Sequence, residues 1–148
     1  SKRDPFTDDG LFNNVKGKRD IAIVGFTTDG DVFGGFYSVA VTEQEKWIYD
    51  KNIFVFSFES QGRCMTPQRF AVKEGMREKA NLRFRKNNNY GFVCFWVDGV
   101  DARFFLGNER SDSYCCDLSK GFEGIEDTTL TGHNGQHHCT RIVAIQLS

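Results

Sequence analysis

The chain has 148 residues, 19 basic and 20 acidic side chains, and a formal net charge of -1. This length suits one domain with a sizeable core, and the charge balance argues against a globally basic nucleic-acid-binding protein. The sequence has no run of about 20 apolar residues that would cross a bilayer, so we expect no membrane insertion.

The first predicted element is a short helix. It begins after Pro5, and Leu11, Phe12 and Val15 share one of its faces at helical spacing. Gly17 follows the last of these residues and is typical of a helix end. The spacing therefore predicts a peripheral helix rather than a long structural one.

Two aromatic strands follow the helix. Segments 21–26 and 32–38 are separated by an Asp-Gly step, which favours a tight hairpin turn. The second strand contains Gly34 and Gly35. Two glycines weaken a strand unless another group approaches closely or the strand bends.

The next region predicts a brief helix and a buried strand. Thr42 and Glu45 have the spacing of a capping box, which predicts a short helix that carries Trp47. Both tryptophans are expected to be core residues rather than ligand platforms, and Trp47 is the better candidate of the two for an exposed anchor. Segment 53–58 is apolar on both faces and predicts a central strand covered on each side. Trp96 also lies in a doubly apolar segment and is predicted to be a core residue.

The second half of the chain contains an alternating strand at 81–86. Leu82 and Phe84 are predicted on one face, and Arg83 and Arg85 on the other. The remaining predicted elements are strands at 69–72, 90–97 and 101–106, turns at 87–89 and Asp98-Gly99, a long polar loop at 107–138, and a closing strand at 140–147. The pattern predicts an α+β fold, mostly antiparallel, built as a two-sheet β-sandwich with short peripheral helices.

In this order, the segments resemble the TLDc domain of oxidation-resistance proteins. The residues that carry the resemblance are 1–6, 33–38, Asp50 with 53–58, 130–132 and 141–145. Segment 87–101 departs from the family pattern, because an asparagine-rich loop and a hairpin occupy it. The resemblance implies a single domain over 1–148, a two-sheet sandwich, no cofactor and a role in resisting oxidative stress. In some members it implies binding and regulation of the vacuolar proton-pumping ATPase. It brings no catalytic residues.

Basic clusters and one tryptophan are the candidate contacts for a partner. The candidate partner-binding residues are Lys16, Lys18, Arg19, Trp47, Arg83, Arg85 and Lys86. A solvated surface explains such clusters in a chain of neutral net charge, and docking of an acidic protein surface or of phosphates is the functional alternative. Leu82 and Phe84 alternate away from the arginines, which disfavours base stacking beside them.

Cysteine and histidine residues gather near the end of the chain. Cys115 and Cys116 are the candidate redox residues. Asp112 and Asp117 lie nearby and would raise a thiol pKa. The Cys-x₂₋₄-Cys spacing of zinc sites is missing among these residues and His137, so we expect no metal.

The expected function is a non-catalytic macromolecular interaction module in an intracellular oxidative-stress response. We expect a protein partner and no small-molecule substrate. The alternatives are a nucleic-acid-binding regulator that uses a basic strand face, and a thiol-based peroxide-consuming enzyme. Five cysteines without regular spacing indicate a reducing compartment, and we expect a cytoplasmic rather than a nuclear location. The chain starts at Ser1, so we expect it to be a fragment of a longer protein.

Overall fold

Two antiparallel sheets, one of five strands and one of six, account for most of the fold in the computed structural model. The structure describes residues 8–86, 92–106 and 113–147. In chain order, the strands are β1 (Ile21–Thr27), β2 (Val32–Tyr37), β3 (Ile48–Tyr49), β4 (Phe54–Glu59), β5 (Gln68–Ala71), β6 (Ala80–Phe84), β7 (Val93–Val97), β8 (Ala102–Leu106), β9 (Ser113–Cys116), β10 (Gly135–His137) and β11 (Cys139–Gln146).

The chain passes between the two sheets several times, so each sheet takes its strands from separate parts of the sequence. The first sheet has the order β11-β1-β2-β4-β5 and the second has the order β10-β9-β8-β7-β6-β3. Helix α1 (Asp8–Val15) and two 3₁₀ segments, Glu74–Lys79 and Leu118–Lys120, lie outside the sheets. The predicted two-sheet sandwich with short helices is therefore confirmed.

The inner faces of both sheets supply one apolar core. Alternation along each strand turns its large side chains inward, and the rings of Phe33, Phe84, Phe95 and Phe104 are all fully buried. The predicted helix is also confirmed, because Phe12 of α1 packs against Phe84 with ring centroids 5.1 Å apart. Helix α1 therefore closes part of the core.

The glycine pair of β2 permits two close approaches, one on each side of the sheet. A Cβ on Gly35 would lie 2.7 Å from the ring of Phe95, which belongs to the opposite sheet. A Cβ on Gly34 would lie 2.6 Å from the ring of Phe56 and would collide with the carbonyl oxygen of Ile23. The predicted need for close approach is confirmed.

The helix predicted around Trp47 is wrong. Residues 42–47 form no helix, and Glu45 has a φ of 63°, which is outside the right-handed helical region. Its backbone N–H donates to the carbonyl oxygen of Phe84, and its carboxylate accepts a hydrogen bond from the backbone N–H of Lys86. Pairing with the end of β6 therefore replaces the capping box.

The prediction of a long loop at 107–138 is also wrong. This segment contains β9, β10 and a 3₁₀ segment, although residues 107–112 lie outside the described residues. Small or polar residues occupy its inward positions, including Ser113, Cys115 and His137, all of which are buried. An alternation built on such residues gives no hydrophobic signal.

Two predictions of burial on both faces are wrong at single aromatic residues. In the internal strand β4, Val55, Phe56 and Ser57 are buried as predicted, but Phe58 at its end is 49% exposed. Trp96 of β7 points to the outer face and is half-buried rather than part of the core. Both errors arise because aromatic residues on these strands face outward. The turn predicted at 87–89 and the family-like segment 1–6 lie outside the described residues.

Candidate functional site

Arginines and tryptophans share the outer face of the six-stranded sheet. The register pairs Arg83 with Cys94 and Trp96 with Arg103, so these side chains project from the same side. Trp47, just before β3, completes the group by contacting both Arg83 and Trp96. We call the group of Trp47, Arg83, Arg85, Trp96 and Arg103 the cationic face.

The centre of the cationic face is held by ring contacts. The guanidinium carbon of Arg83 lies 4.5 Å from the ring centroid of Trp47. The rings of Trp47 and Trp96 are tilted by 49°, with centroids 5.0 Å apart. Stacking on an indole holds a guanidinium in place. Arg83 therefore extends from a strand with its side chain already ordered, so it loses less conformational entropy when a ligand binds.

Burial and a neighbouring positive charge make the cationic form of Arg83 less favourable. Desolvation, followed by repulsion from Arg85, lowers the pKa of Arg83, and the Glu45 carboxylate opposes this effect. Glu45 also forms an ion pair with Arg85, with Nε and Oε1 3.9 Å apart. An incoming anion would relieve the repulsion between the two arginines. The face is therefore suited to a negatively charged ligand.

Cys94 lies at the middle of this face, and its thiol is shielded from solvent. Burial raises the pKa of the Cys94 thiol to about 12, although the charges of Arg83, Arg103 and Arg85 all act to lower it. Desolvation thus outweighs three cations. Cys94 therefore packs as a neutral thiol and is not a nucleophile at neutral pH.

The other predicted basic residues lie elsewhere or at the margin. Lys86 follows β6 and is exposed. Lys16, Lys18 and Arg19 are exposed between α1 and β1, an element that belongs to the five-stranded sheet. The structure therefore brings Arg83, Arg85 and Trp47 together and leaves the N-terminal basic cluster apart.

Arg103 and the outward position of Trp96 were missed by the sequence reasoning. A signal for both existed, because the tight turn between β7 and β8 fixes the register that places them opposite each other. Leu82 and Phe84 do point inward, as predicted. The rings beside the arginines come from neighbouring strands instead.

The two candidate redox residues, Cys115 and Cys116, differ in their burial. Cys115 is fully buried, its Sγ lies 3.6 Å from Nε2 of His137, and burial raises its pKa well above the ordinary value. Burial also raises the pKa of nearby Cys139 to about 11, partly offset by a hydrogen bond with Ser113. Cys116 is half-buried, opposite Arg103. A buried neutral thiol such as that of Cys115 is a weak nucleophile.

The described residues contain neither a metal-binding cluster nor a membrane-spanning helix. Across 8–86, 92–106 and 113–147, no three or more His, Cys, Asp or Glu side chains form a group that could hold a metal ion. None of the helices in these segments has the length and hydropathy required to cross a bilayer.

Comparison with known proteins assigns no family to the chain. No family model matches it, and no curated protein matches it. The TLDc resemblance therefore stays a prediction, and function is inferred from the geometry of the cationic face.

Proposed function

We propose that the chain is a non-catalytic interaction module that binds an acidic segment of a protein partner through the cationic face. The observation that carries the proposal is the stack of Arg83 on Trp47 beside Trp96. Arginine and tryptophan are the residue types that contribute most to binding energy at protein interfaces. In this chain, Arg83 and Trp96 extend from neighbouring strands of a sheet, so their side chains lose little conformational entropy on binding.

The charge of the face selects an acidic partner. Arg83, Arg85 and Arg103 all act on the Cys94 thiol, which places their positive charges around one point. Carboxylates of a partner can form bidentate hydrogen bonds with such guanidinium groups. Complementary charge also accelerates association and makes it sensitive to salt.

The biological setting of the proposal comes from the TLDc resemblance. It is an intracellular oxidative-stress response, with a cytoplasmic rather than a nuclear location. The vacuolar proton-pumping ATPase, which some TLDc domains bind and regulate, is the first partner to test.

Nucleic-acid binding is the second candidate, and one observation favours it. Trp47 and Trp96 stand on the same face as the arginines, so rings and phosphate-binding charges are adjacent. Against it, Arg83 already covers the Trp47 ring and the two indoles pack on each other. An acidic protein segment needs no open ring surface and fits this arrangement better.

The test is capture of protein from a nuclease-treated cell extract on the immobilised chain. The variant Arg83→Gln/Arg85→Gln is compared with Lys51→Gln/Arg69→Gln, which removes equal charge from the other sheet. We expect the wild type and the control to retain a stoichiometric protein, and the Arg83→Gln/Arg85→Gln variant to retain at least about tenfold less, or roughly 1.4 kcal/mol.

Two results would reject the proposal. One is that the wild type retains no stoichiometric protein, and the other is that removing the two arginines leaves retention unchanged. Binding of a single-stranded or duplex oligonucleotide that weakens log-linearly with salt would instead support the second candidate.

A further inference from the structure

The outer face of the five-stranded sheet carries a second apolar cluster, in which Ala22, Val24 and Phe56 are buried and the surrounding residues are partly exposed. Phe54, Phe56 and Phe58 of β4 lie along it, and Phe58 is 49% exposed. Ile145 and Leu147 at the end of the chain flank these rings and are 43% and 45% exposed. Isolated exposed apolar residues are ordinary, but a contiguous patch of this kind marks a binding surface.

A groove runs through this patch. It has a volume of about 360 Å³, and its walls include Ala22, Val24, Phe54, Phe56, Phe58 and Ile145. Small-molecule sites typically begin at roughly 300 Å³ and are mostly apolar. The groove therefore has the size and lining to hold one alkyl chain.

A second cavity of about 460 Å³ adjoins one end of the groove and is cationic. Lys51, Arg69 and Arg77 line it, with Asp20 as the acidic member of the lining. Within the described part of the chain, no carboxylate forms an ion pair with Lys51, Arg69 or Arg77. Three positive charges thus converge on a space that contains one negative charge.

The two cavities share Phe54, Arg69 and Leu147. The guanidinium carbon of Arg69 lies 4.9 Å from the Phe54 ring centroid, which fixes a positive charge at the junction. An apolar groove that shares part of its wall with a cationic cavity matches a ligand with an apolar tail and an anionic head. Neither half alone would specify that ligand.

We propose that these cavities form one site for a free, monomeric anionic amphiphile, such as a long-chain carboxylate or an alkyl phosphate. The tail lies along Phe54, Phe56 and Phe58, and the head contacts Lys51, Arg69 and Arg77. The ligand is a monomer rather than a bilayer, because the apolar residues line a recess and the cations lie at its end. The site is separate from the cationic face, which belongs to the other sheet.

The test is calorimetric titration with dodecyl phosphate below its micelle-forming concentration. Dodecyltrimethylammonium supplies the same tail with the opposite charge, and inorganic phosphate supplies the head alone. We expect one dodecyl phosphate per chain with a Kd on the order of 0.1 mM, and at least about tenfold weaker binding of the other two probes.

Variants assign the binding to the two cavities. We expect Lys51→Gln/Arg69→Gln and Phe58→Ser each to weaken dodecyl phosphate binding by about tenfold. The matched control Lys46→Gln/Lys120→Gln removes two exposed positive charges that line neither cavity, and it is expected to leave dodecyl phosphate binding unchanged. Thermal unfolding of every variant, followed by circular dichroism, verifies that it folds.

Several outcomes would overturn the proposal. These are equal binding of the cationic amphiphile, equal weakening by Lys46→Gln/Lys120→Gln, or insensitivity to both Lys51→Gln/Arg69→Gln and Phe58→Ser. Binding to phosphatidylcholine–phosphatidylserine vesicles without binding of the monomer would also overturn it, because it would identify a membrane surface as the ligand.

Discussion

The outer faces of the two sheets differ far more than their inner faces do. Both inner faces contribute phenylalanines to a single core, for example Phe33 from one sheet and Phe104 from the other, with ring centroids 5.6 Å apart. Outside, one sheet presents stacked arginine and tryptophan, and the other presents phenylalanine rings. Strand alternation thus decides which residues face outward, whereas their identities decide what the surface can bind.

The contacts on the two outer faces explain the difference. On the five-stranded sheet, Phe36 stacks on Phe54 at 4.6 Å and Phe56 contacts Phe58 at 4.9 Å. On the six-stranded sheet, Trp47 contacts Trp96 and is covered by the Arg83 guanidinium group. A guanidinium group also covers Phe54 on the five-stranded sheet, but there the neighbouring rings form an apolar groove. Removal of apolar surface from water therefore contributes to binding at the five-stranded sheet, whereas neutralisation of charge dominates at the cationic face. Added salt should weaken binding more steeply at the cationic face than in the groove.

The glycine pair of β2 tests how tightly each side of the five-stranded sheet is packed, and it gives the largest expected effect. Gly34→Ala places a methyl group against the backbone carbonyl oxygen of Ile23, so we expect a loss of about 3 kcal/mol or more in the free energy of unfolding. The atoms nearest to the new methyl group in Gly35→Ala belong to the Phe95 side chain, at 2.7 Å, and we expect a loss of about 1–3 kcal/mol. Urea denaturation measures both.

Gly75→Ala is the control for these variants. A Cβ at Gly75 meets nothing within 4 Å, so we expect a change within about 0.5 kcal/mol. Equal stability of Gly34→Ala and Gly75→Ala would contradict the close approach of the Ile23 carbonyl oxygen and the Phe56 ring to Gly34.

Alkaline unfolding of the Cys94→Ala variant tests whether the cationic face is dry, and its expected effect is smaller. The folded-state pKa of Cys94 is raised from 9.0 to about 12, so its neutral thiol contributes stability fully below about pH 9. That contribution is lost as the pH rises toward 12. Between pH 9 and 11 we expect the wild type to lose about 2 kcal/mol more than the variant.

A wet cationic face would reverse this result. The charges of Arg83, Arg85 and Arg103 would then dominate and hold the folded-state pKa of Cys94 below 9. The wild type would gain stability relative to Cys94→Ala as the pH approached 9, and the thiol would react with iodoacetamide near pH 8. Either observation contradicts the burial of Cys94.

Alternation made part of the fold predictable from the sequence. It placed Leu82 and Phe84 inward and Arg83 outward, and the Asp-Gly steps marked the hairpins. It failed where inward residues are small or polar, as in β9 and β10, because burial of Ser113 or His137 leaves no hydrophobic pattern. It also failed where outward residues are aromatic.

The sequence allowed individual residues of the candidate site to be predicted, but not the contacts between residues on different strands. Arg83 and Trp47 were identified separately, but their contact depends on the pairing of β3 with β6. The phenylalanine groove needs β1, β4, β5 and residues near the end of β11 together. No local spacing encodes a surface assembled from segments so far apart in the chain.

Tryptophan fluorescence tests most directly whether the two outer faces are separate binding surfaces. The chain has two tryptophans, and both Trp47 and Trp96 lie on the cationic face. At low salt, we expect a decaglutamate peptide to change their emission and dodecyl phosphate to leave it unchanged while binding one per chain. A change caused by dodecyl phosphate, or no change with decaglutamate, would contradict the division of the molecule into two surfaces.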